Sequence, residues 1–111
     1  MEQPKLEIDG RGNKGWILPN GNLHRTDGPA VEFADGSKLW YQNGKRHRTN
    51  GPAVEWVDGE KSWWVNGKLH RTDGPAVEQA DGYKFWCLGG VCYTEEEFET
   101  EMLKKKLELF E

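Results

Sequence analysis

The chain has 111 residues, 35% of them hydrophobic, and a net charge of -4 at pH 7, a size that allows one domain with a small core. Its excess negative charge lies in residues 94–111, with seven acidic residues and three lysines, while residues 1–93 carry twelve of each sign. A neutral body without a block of lysine and arginine argues against nucleic acid as a partner. Neither a signal-peptide pattern nor an apolar run of membrane-spanning length occurs, so we expect a cytoplasmic protein without a transmembrane segment.

Three stretches of nearly the same sequence follow one another along the chain. They read NGNLHRTDGPAVE from Asn20, NGKRHRTNGPAVE from Asn43 and NGKLHRTDGPAVE from Asn66, so the period is 23 residues. Gly89-Gly90 takes the fourth Asn-Gly position, and Asp-Gly pairs fall between the stretches. Such pairs between apolar or β-branched residues predict tight turns, because both central positions of the favoured turn need positive φ.

The predicted fold is therefore mainly β, with tandem antiparallel β-hairpin repeats of period 23 stacked into one elongated sheet. Residues 1–111 form a single domain in this interpretation. Residues 1–15 supply an N-terminal cap strand, residues 16–93 hold three and a half repeats, and residues 94–111 form a C-terminal α-helix that caps the sheet. Thr94 and Glu97 have the spacing of a capping box, which favours a helix beginning there.

Alternation along the strands predicts which side chains share a face. A column of bulky residues recurs at the period of 23 and comprises Ile17, Trp40, Trp63 and Trp86. Its three tryptophans, Trp40, Trp63 and Trp86, are predicted to form the core. The valine column, Val31, Val54 and Val77, shares a face with Phe33, Trp56 and Gln79. Tyr41 and Trp64 are predicted to point away from the tryptophan column, where they serve as exposed anchors for a partner unless both faces of the sheet are covered.

On the helix, Phe98, Met102 and Leu109 fall on one side, while Leu103, Leu107 and Phe110 fall about a third of a turn away. The first stripe is expected to cover the last hairpin. The second either contacts a second copy of the chain in a homodimer or wraps onto the chain's own sheet.

His24, His47 and His70 suggest a metal site, but equivalent residues of stacked repeats lie roughly 10 to 14 Å apart. Ligands of one zinc ion must all lie about 2 Å from it. We therefore expect no metal, no cofactor and a structural role in which each histidine bonds a neighbouring loop. Since every polar residue of interest occurs in triplicate and no catalytic motif is present, the chain is also predicted not to be an enzyme.

Arg25, Arg48 and Arg71 each precede an acidic or amide residue by two positions and a glutamate by seven. One interpretation is a structural ladder of contacts to Asp27, Asn50 and Asp73 or to Glu32, Glu55 and Glu78. The other is a row of His-Arg tips that receives an anionic or extended ligand, with each repeat touching one part of it.

Cys87 and Cys92 flank the sequence LGGV, so a two-residue turn at Gly89-Gly90 would place them opposite each other. Such neighbours could oxidise. In a chain without an export signal, however, two reduced thiols packed as small apolar residues are the favoured expectation.

The repeat resembles the MORN repeat, whose pattern also has an aromatic residue, an Asn-Gly-Lys turn, a histidine and an Asp-Gly pair, as in WYQNGKRH from Trp40 followed by Asp58-Gly59. The spacing from Asn43 to Asp58 is longer than in that family, and Arg48 stands where it generally has glycine. Over residues 16–98 the sequence is similar to tandem-repeat proteins of tailed bacteriophages and large DNA viruses. MORN-type proteins mostly act as protein-binding or membrane-associated scaffolds, which is what the resemblance implies here.

These observations lead to three hypotheses for function. The first is a non-enzymatic protein-binding repeat module, a phage accessory or anti-defence factor that binds and inhibits a host protein. The second is a protein that sequesters a nucleotide or signalling small molecule, with His-Arg pairs holding phosphates and aromatic rings stacking on bases. The third is a structural protein that forms a homodimer through its C-terminal helix.

Overall fold

A computed structural model describes residues 3–108 of the chain. It is mainly β, with a single C-terminal helix in that range. In chain order the elements are β1 (Lys5–Ile8), β2 (Lys14–Ile17), β3 (Val31–Glu32), β4 (Lys38–Leu39), β5 (Tyr41–Gln42), β6 (Lys45–Arg46), β7 (Val54–Glu55), β8 (Lys61–Ser62), β9 (Trp64–Val65), β10 (Lys68–Leu69), β11 (Val77–Glu78), β12 (Lys84–Leu88), β13 (Val91–Tyr93) and α1 (Glu95–Glu108). No helix among these residues is long and apolar enough to cross a membrane.

Nine strands form one antiparallel sheet in the order β1-β2-β3-β4-β7-β8-β11-β12-β13. Each full repeat adds two short strands to this sheet, such as β3 and β4, and then a separate two-stranded hairpin, such as β5 and β6. The described chain measures 52 × 37 × 17 Å, so it is long and thin. The predicted fold class, hairpin repeats laid side by side in one elongated sheet with a C-terminal helix, is confirmed.

The two faces of the main sheet carry different chemistry. Cross-strand partners on one face alternate in charge over seven strands: Lys14, Glu32, Lys38, Glu55, Lys61, Glu78 and Lys84. We call this the charged face. Partners on the other face are mostly apolar: Val31, Leu39, Val54, Ser62, Val77 and Phe85. The three glutamates of this ladder form ion pairs with Arg25, Arg48 and Arg71, and opposite charges directly across antiparallel strands add a weaker attraction.

The core lies where the main sheet meets the small hairpins. Ala30, Ala53 and Ala76 are fully buried, and Leu39 and Val54 are nearly so. The prediction that Trp40, Trp63 and Trp86 form the core is wrong, because all three rings are only half-buried. Leu39 pairs with Val31 and Val54 on the apolar face, so Trp40, one residue further on, belongs to the charged side.

The prediction that Ile17 stands in this tryptophan column is also wrong, since Trp16 occupies the place. The Trp16 N–H donates to the Ala30 oxygen, as the Trp40 N–H does to that of Ala53. The backbone oxygen of Trp16 accepts from the His24 N–H. The first Asn-Gly turn is one residue longer than the others: the Leu18 N–H bonds the Asn22 oxygen across it, whereas Gln42 and Lys45 are direct partners across the second.

The helix α1 begins with the predicted capping box. The Thr94 N–H donates to Glu97 Oε1 at 2.9 Å, and the Glu97 N–H donates to Thr94 Oγ1 at 3.2 Å. Phe98 is buried where the helix packs against β12 and β13, and Met102 is half-buried. Leu103 and Leu107 are each 56% exposed. The predicted positions of Leu109 and Phe110 lie outside the described residues.

Cys87 and Cys92 are direct cross-strand partners, as the two-residue turn predicts. They form a disulfide, so the expectation of two reduced thiols is wrong. The sequence argument rested on cellular compartment, whereas the hairpin register places the two Cα atoms only 4.0 Å apart. The bond joins β12 to β13 directly before α1 and therefore ties the last hairpin together.

We predict that reducing this disulfide lowers the free energy of unfolding by about 2 kcal/mol, because the bond closes only a short loop in the unfolded chain. Urea unfolding with and without a phosphine reductant measures the difference. The Cys87→Ala/Cys92→Ala variant serves as control, since it should not respond to the reductant. Equal unfolding midpoints for oxidised and reduced wild-type protein would contradict the prediction.

Candidate functional site

Three equivalent loops, residues 24–29, 47–52 and 70–75, carry most of the predicted binding residues; we call them the His-Arg loops. In each one the arginine lies flat on a tryptophan ring. The guanidinium carbon is 3.8 Å from the ring centre of Trp16 for Arg25, 3.8 Å from that of Trp40 for Arg48, and 3.9 Å from that of Trp63 for Arg71. A cation over an aromatic face is attracted by the ring quadrupole, so each pair stabilises its loop.

A glycine closes the opposite side of each guanidinium. A Cβ built on Gly51 would lie 2.9 Å from Arg48 Cζ, and the corresponding distances at Gly28 and Gly74 are 3.0 and 2.8 Å. Real Cβ atoms almost never come as close as at Gly51 and Gly74, and the distance at Gly28 is shorter than most real contacts. The arginine is thus held between a ring and a bare backbone, which explains the invariable Gly-Pro of the repeat.

Hydrogen bonds fix the edge of each guanidinium. Arg48 donates from Nε to Asn50 Oδ1 at 3.2 Å, and from Nη1 to the Pro52 oxygen at 2.9 Å and Glu55 Oε2 at 3.0 Å. Arg25 makes the same three contacts with Asp27, Pro29 and Glu32. Arg71 makes them with Asp73, Pro75 and Glu78. The arginines therefore follow the structural interpretation, and both alternative sets of partners are used together.

Each predicted histidine connects its own repeat to the next one. Nδ1 of His24 accepts the Asn43 N–H at 2.9 Å, Nδ1 of His47 accepts the Asn66 N–H at 3.0 Å, and Nδ1 of His70 accepts the Gly89 N–H at 2.9 Å. This is the predicted bond to a neighbouring loop. Within residues 3–108, no group of three or more His, Cys, Asp or Glu side chains is arranged to hold a metal ion.

Shallow grooves separate the His-Arg loops from one another and from the N-terminal segment. Their volumes are about 350, 420 and 470 Å³. The walls are polar, and the outermost groups are carboxylates, since the side chains of Asp27 and Asp73 are 83% and 81% exposed. Two carboxylates accompany Arg25 and two accompany Arg71, so these loops carry no net positive charge.

Tyr41 and Trp64, the predicted aromatic anchors, are half-buried. Arg46 lies between them: its Nε donates to the Tyr41 hydroxyl at 3.3 Å, and its guanidinium carbon is 5.0 Å from the Trp64 ring centre. The Trp64 Nε1–H donates to Ser62 Oγ at 2.7 Å. The prediction that these rings are exposed anchors is wrong. The sequence could have indicated that an arginine covers these rings, because Arg46 stands where the other repeats have Leu23 and Leu69.

Exposed aromatic rings occur instead on the apolar face, near the Asp-Gly turns. Tyr83, Trp56 and Phe85 are 62%, 37% and 36% exposed. Phe33 stacks on Trp56 at 6.0 Å between ring centres, and Tyr83 lies 5.1 Å from Phe85. The register puts these rings on one side of the sheet; we call Phe33, Trp56, Tyr83 and Phe85 the aromatic face. A cavity of about 680 Å³ adjoins Tyr83 and Phe85.

The sequence alignment of the repeats already placed Phe33 and Trp56 in one column, but it could not show that Phe33 is half-buried while Trp56 remains 37% exposed. Comparison with known proteins adds no family, since no family model, curated protein or solved structure matches this chain. The candidate surfaces are therefore assigned from geometry alone.

We predict that Gly51→Ala lowers the free energy of unfolding by about 1–3 kcal/mol, because the added methyl group collides with the Arg48 guanidinium. Gly10→Ala is the matched control: neither glycine has a positive φ, and a Cβ at Gly10 meets nothing within 4 Å. Its effect should stay within about 0.5 kcal/mol. Chemical denaturation of both variants measures the difference, and equal effects would contradict this account of the arginine site.

We also predict a pH-dependent contribution from Asp73. The hydrogen bond from Arg71, followed by its charge, lowers the pKa of the Asp73 carboxyl below its ordinary value of 3.8. A lowered folded-state pKa stabilises the protein above the ordinary value, and the stabilisation disappears as pH falls through the folded value. Asp73→Asn, which copies Asn50 of the second repeat, should therefore lose less thermal stability than wild type between about pH 7 and pH 3. If the wild type and the Asp73→Asn variant lose thermal stability equally as the pH falls, the prediction is wrong.

Proposed function

We propose that this chain is a non-enzymatic protein-binding repeat module whose contact surface is the aromatic face. The observation that carries the proposal is the position of Phe33, Trp56, Tyr83 and Phe85. These rings form two pairs on one side of the sheet, and three of them are at least 36% exposed. Aromatic residues are enriched at the centres of protein interfaces, where they bury much area with little loss of side-chain freedom.

The charges around this surface support a protein partner as well. Glu60 lies between the two aromatic pairs in the cross-strand order, since the Trp56 N–H bonds its oxygen across the Asp58-Gly59 turn. Asp35, Asp58 and Asp81 occupy the adjoining turns. Two aromatic pairs with acidic groups between and beside them suit a partner whose contact surface combines apolar patches with basic groups.

The same geometry gives less support to the alternative of a nucleotide-sequestering protein. Phosphate recognition by arginine depends on free N–H groups and on positive potential. In the His-Arg loops, Nε and Nη1 already serve intramolecular acceptors, and carboxylates balance the charge. The outward rings proposed to stack on bases, Tyr41 and Trp64, are half-buried and contact Arg46.

A phage accessory or anti-defence role is the more specific form of the proposal. It rests on the resemblance of the repeats to those of tailed-phage and large-virus proteins. In that form the partner is a bacterial protein in the host cytoplasm, and binding to the aromatic face inhibits it.

Affinity capture from bacterial lysate tests the proposal. The Trp56→Ser/Tyr83→Ser variant should lose a protein that the wild type retains in stoichiometric amount, with affinity reduced about thirtyfold or more, because central aromatic anchors dominate interface energy. Leu103→Ser/Leu107→Ser is the matched control, since it also removes two exposed apolar side chains, from the helix.

Two outcomes would overturn the proposal. One is retention of the same partner by the Trp56→Ser/Tyr83→Ser variant and its loss from the helix variant. The other is a wild-type protein that retains no bacterial protein but releases a nucleotide on denaturation. Mass spectrometry of the retained proteins and of the released small molecules distinguishes these results.

A further inference from the structure

The N-terminal edge of the main sheet is an open strand. β1 lies at the end of the strand order and pairs only with β2 within residues 3–108. Its two apolar side chains, Leu6 and Ile8, are 42% and 58% exposed. An edge strand of this kind presents unpaired backbone groups on which another strand can pair.

The hydrogen-bond pattern shows which backbone groups face outward. The Asp9 N–H donates to the Asn13 oxygen, so these two residues form a hydrogen-bonded pair. Bonded and non-bonded pairs alternate in an antiparallel ladder, so the next bonded pairs are Glu7 with Gly15 and Lys5 with Ile17. The N–H and C=O groups of Leu6 and Ile8 therefore point away from β2. No turn or loop hydrogen bond within residues 3–108 reaches them.

We propose that β1 is a self-association edge: two copies of the chain pair β1 with β1 in antiparallel orientation and join their sheets into one. This inference goes beyond the proposed binding function, because it concerns a different edge of the molecule and needs no foreign partner. The occupant is a second copy because the charges of β1 complement those of the same strand reversed.

The charged side chains of β1 favour one register among the symmetric ways in which β1 can pair with β1 of a second copy. A pair centred on Lys5 sets the two lysines against each other, and one centred on Glu7 does the same with the two glutamates. Centring on Ile8 places Glu7 opposite Asp9. Centring on Leu6 places Lys5 of each copy opposite Glu7 of the other, so both cross-strand pairs are attractive.

The Leu6-centred register also uses the outward backbone groups. Leu6 of each copy exchanges N–H···O bonds with Leu6 of the other, as a hydrogen-bonded antiparallel pair does. The Ile8 N–H then meets the oxygen of Pro4, and Pro4, which has no N–H, contributes only this acceptor. Within the described residues, neither Lys5 nor Glu7 makes a side-chain hydrogen bond or ion pair, so both charges are available to the second copy.

The competing surface for a homodimer is the helix stripe predicted from the sequence. Leu103 and Leu107 are exposed, and Phe110 lies outside the described residues. The described part of α1 is acidic in its first turn and basic in its last turn, so an antiparallel pair of helices would also match opposite charges, and the experiment below separates the two surfaces. The two surfaces are at opposite ends of the strand order, so variants at one do not disturb the other.

Sedimentation of purified protein over a wide concentration range tests the inference through charge reversal and rescue. Lys5→Glu should weaken dimerisation at least about tenfold, because it replaces two attractive cross-strand pairs with two Glu-Glu pairs. Glu7→Lys should have the same effect. The double variant Lys5→Glu/Glu7→Lys restores opposite charges and should return dimerisation to within about threefold of wild type.

Lys105→Glu is the matched control, because it makes the same change of net charge at an exposed helix position, and it should leave dimerisation unchanged. Circular dichroism melting checks that every variant remains folded. The inference is overturned if wild type stays monomeric, if the double variant fails to recover, or if Leu103→Asp/Leu107→Asp removes the dimer while Lys5→Glu does not. The assay contains no other protein, so its result is independent of the test of the aromatic face.

Discussion

The structure depends on how each arginine of the His-Arg loops is held. In the second repeat, Arg48 lies between the Trp40 ring and the backbone of Gly51, with Glu55 and the Pro52 oxygen at its edge. A single thin sheet cannot cover both faces of a tryptophan ring, so the guanidinium group of the arginine covers one of them. That group donates hydrogen bonds to a loop and to a strand at once, so it ties the His-Arg loop to the main sheet. The fully buried residues around it can then be as small as alanine.

The interactions that hold the sheet together and the surface proposed to bind a partner involve different residues. The arginine sites use ion pairs, hydrogen bonds and contacts with tryptophan rings, which hold the His-Arg loops in place and leave few groups free for a ligand. The aromatic face contributes less to stacking and keeps exposed rings.

Repetition made the fold predictable, because a fixed period of 23 with Asn-Gly and Asp-Gly turns leaves little choice of topology. Asn43 and Asn66 have φ values of 50° and 49°, as the turn type requires. The hydrogen bond between each histidine and a neighbouring loop was also predicted, because equivalent histidines of stacked repeats lie too far apart to bind one metal ion together. The sequence did not show which face of the sheet the tryptophans share with the charged residues, because period-2 alternation does not say which face is covered. Trp16 was missed because a turn one residue longer shifts the column, and the disulfide was missed because compartment was weighed above register.

The bonds that link consecutive repeats through histidine have a consequence for the imidazole ring. Nδ1 of His24, His47 and His70 accepts a backbone N–H, so it carries no hydrogen, and the neutral ring must bear its proton on Nε2. All three rings are thereby locked in one tautomer. One tautomer therefore serves all three joints between repeats, and at each joint the imidazole acts as the acceptor.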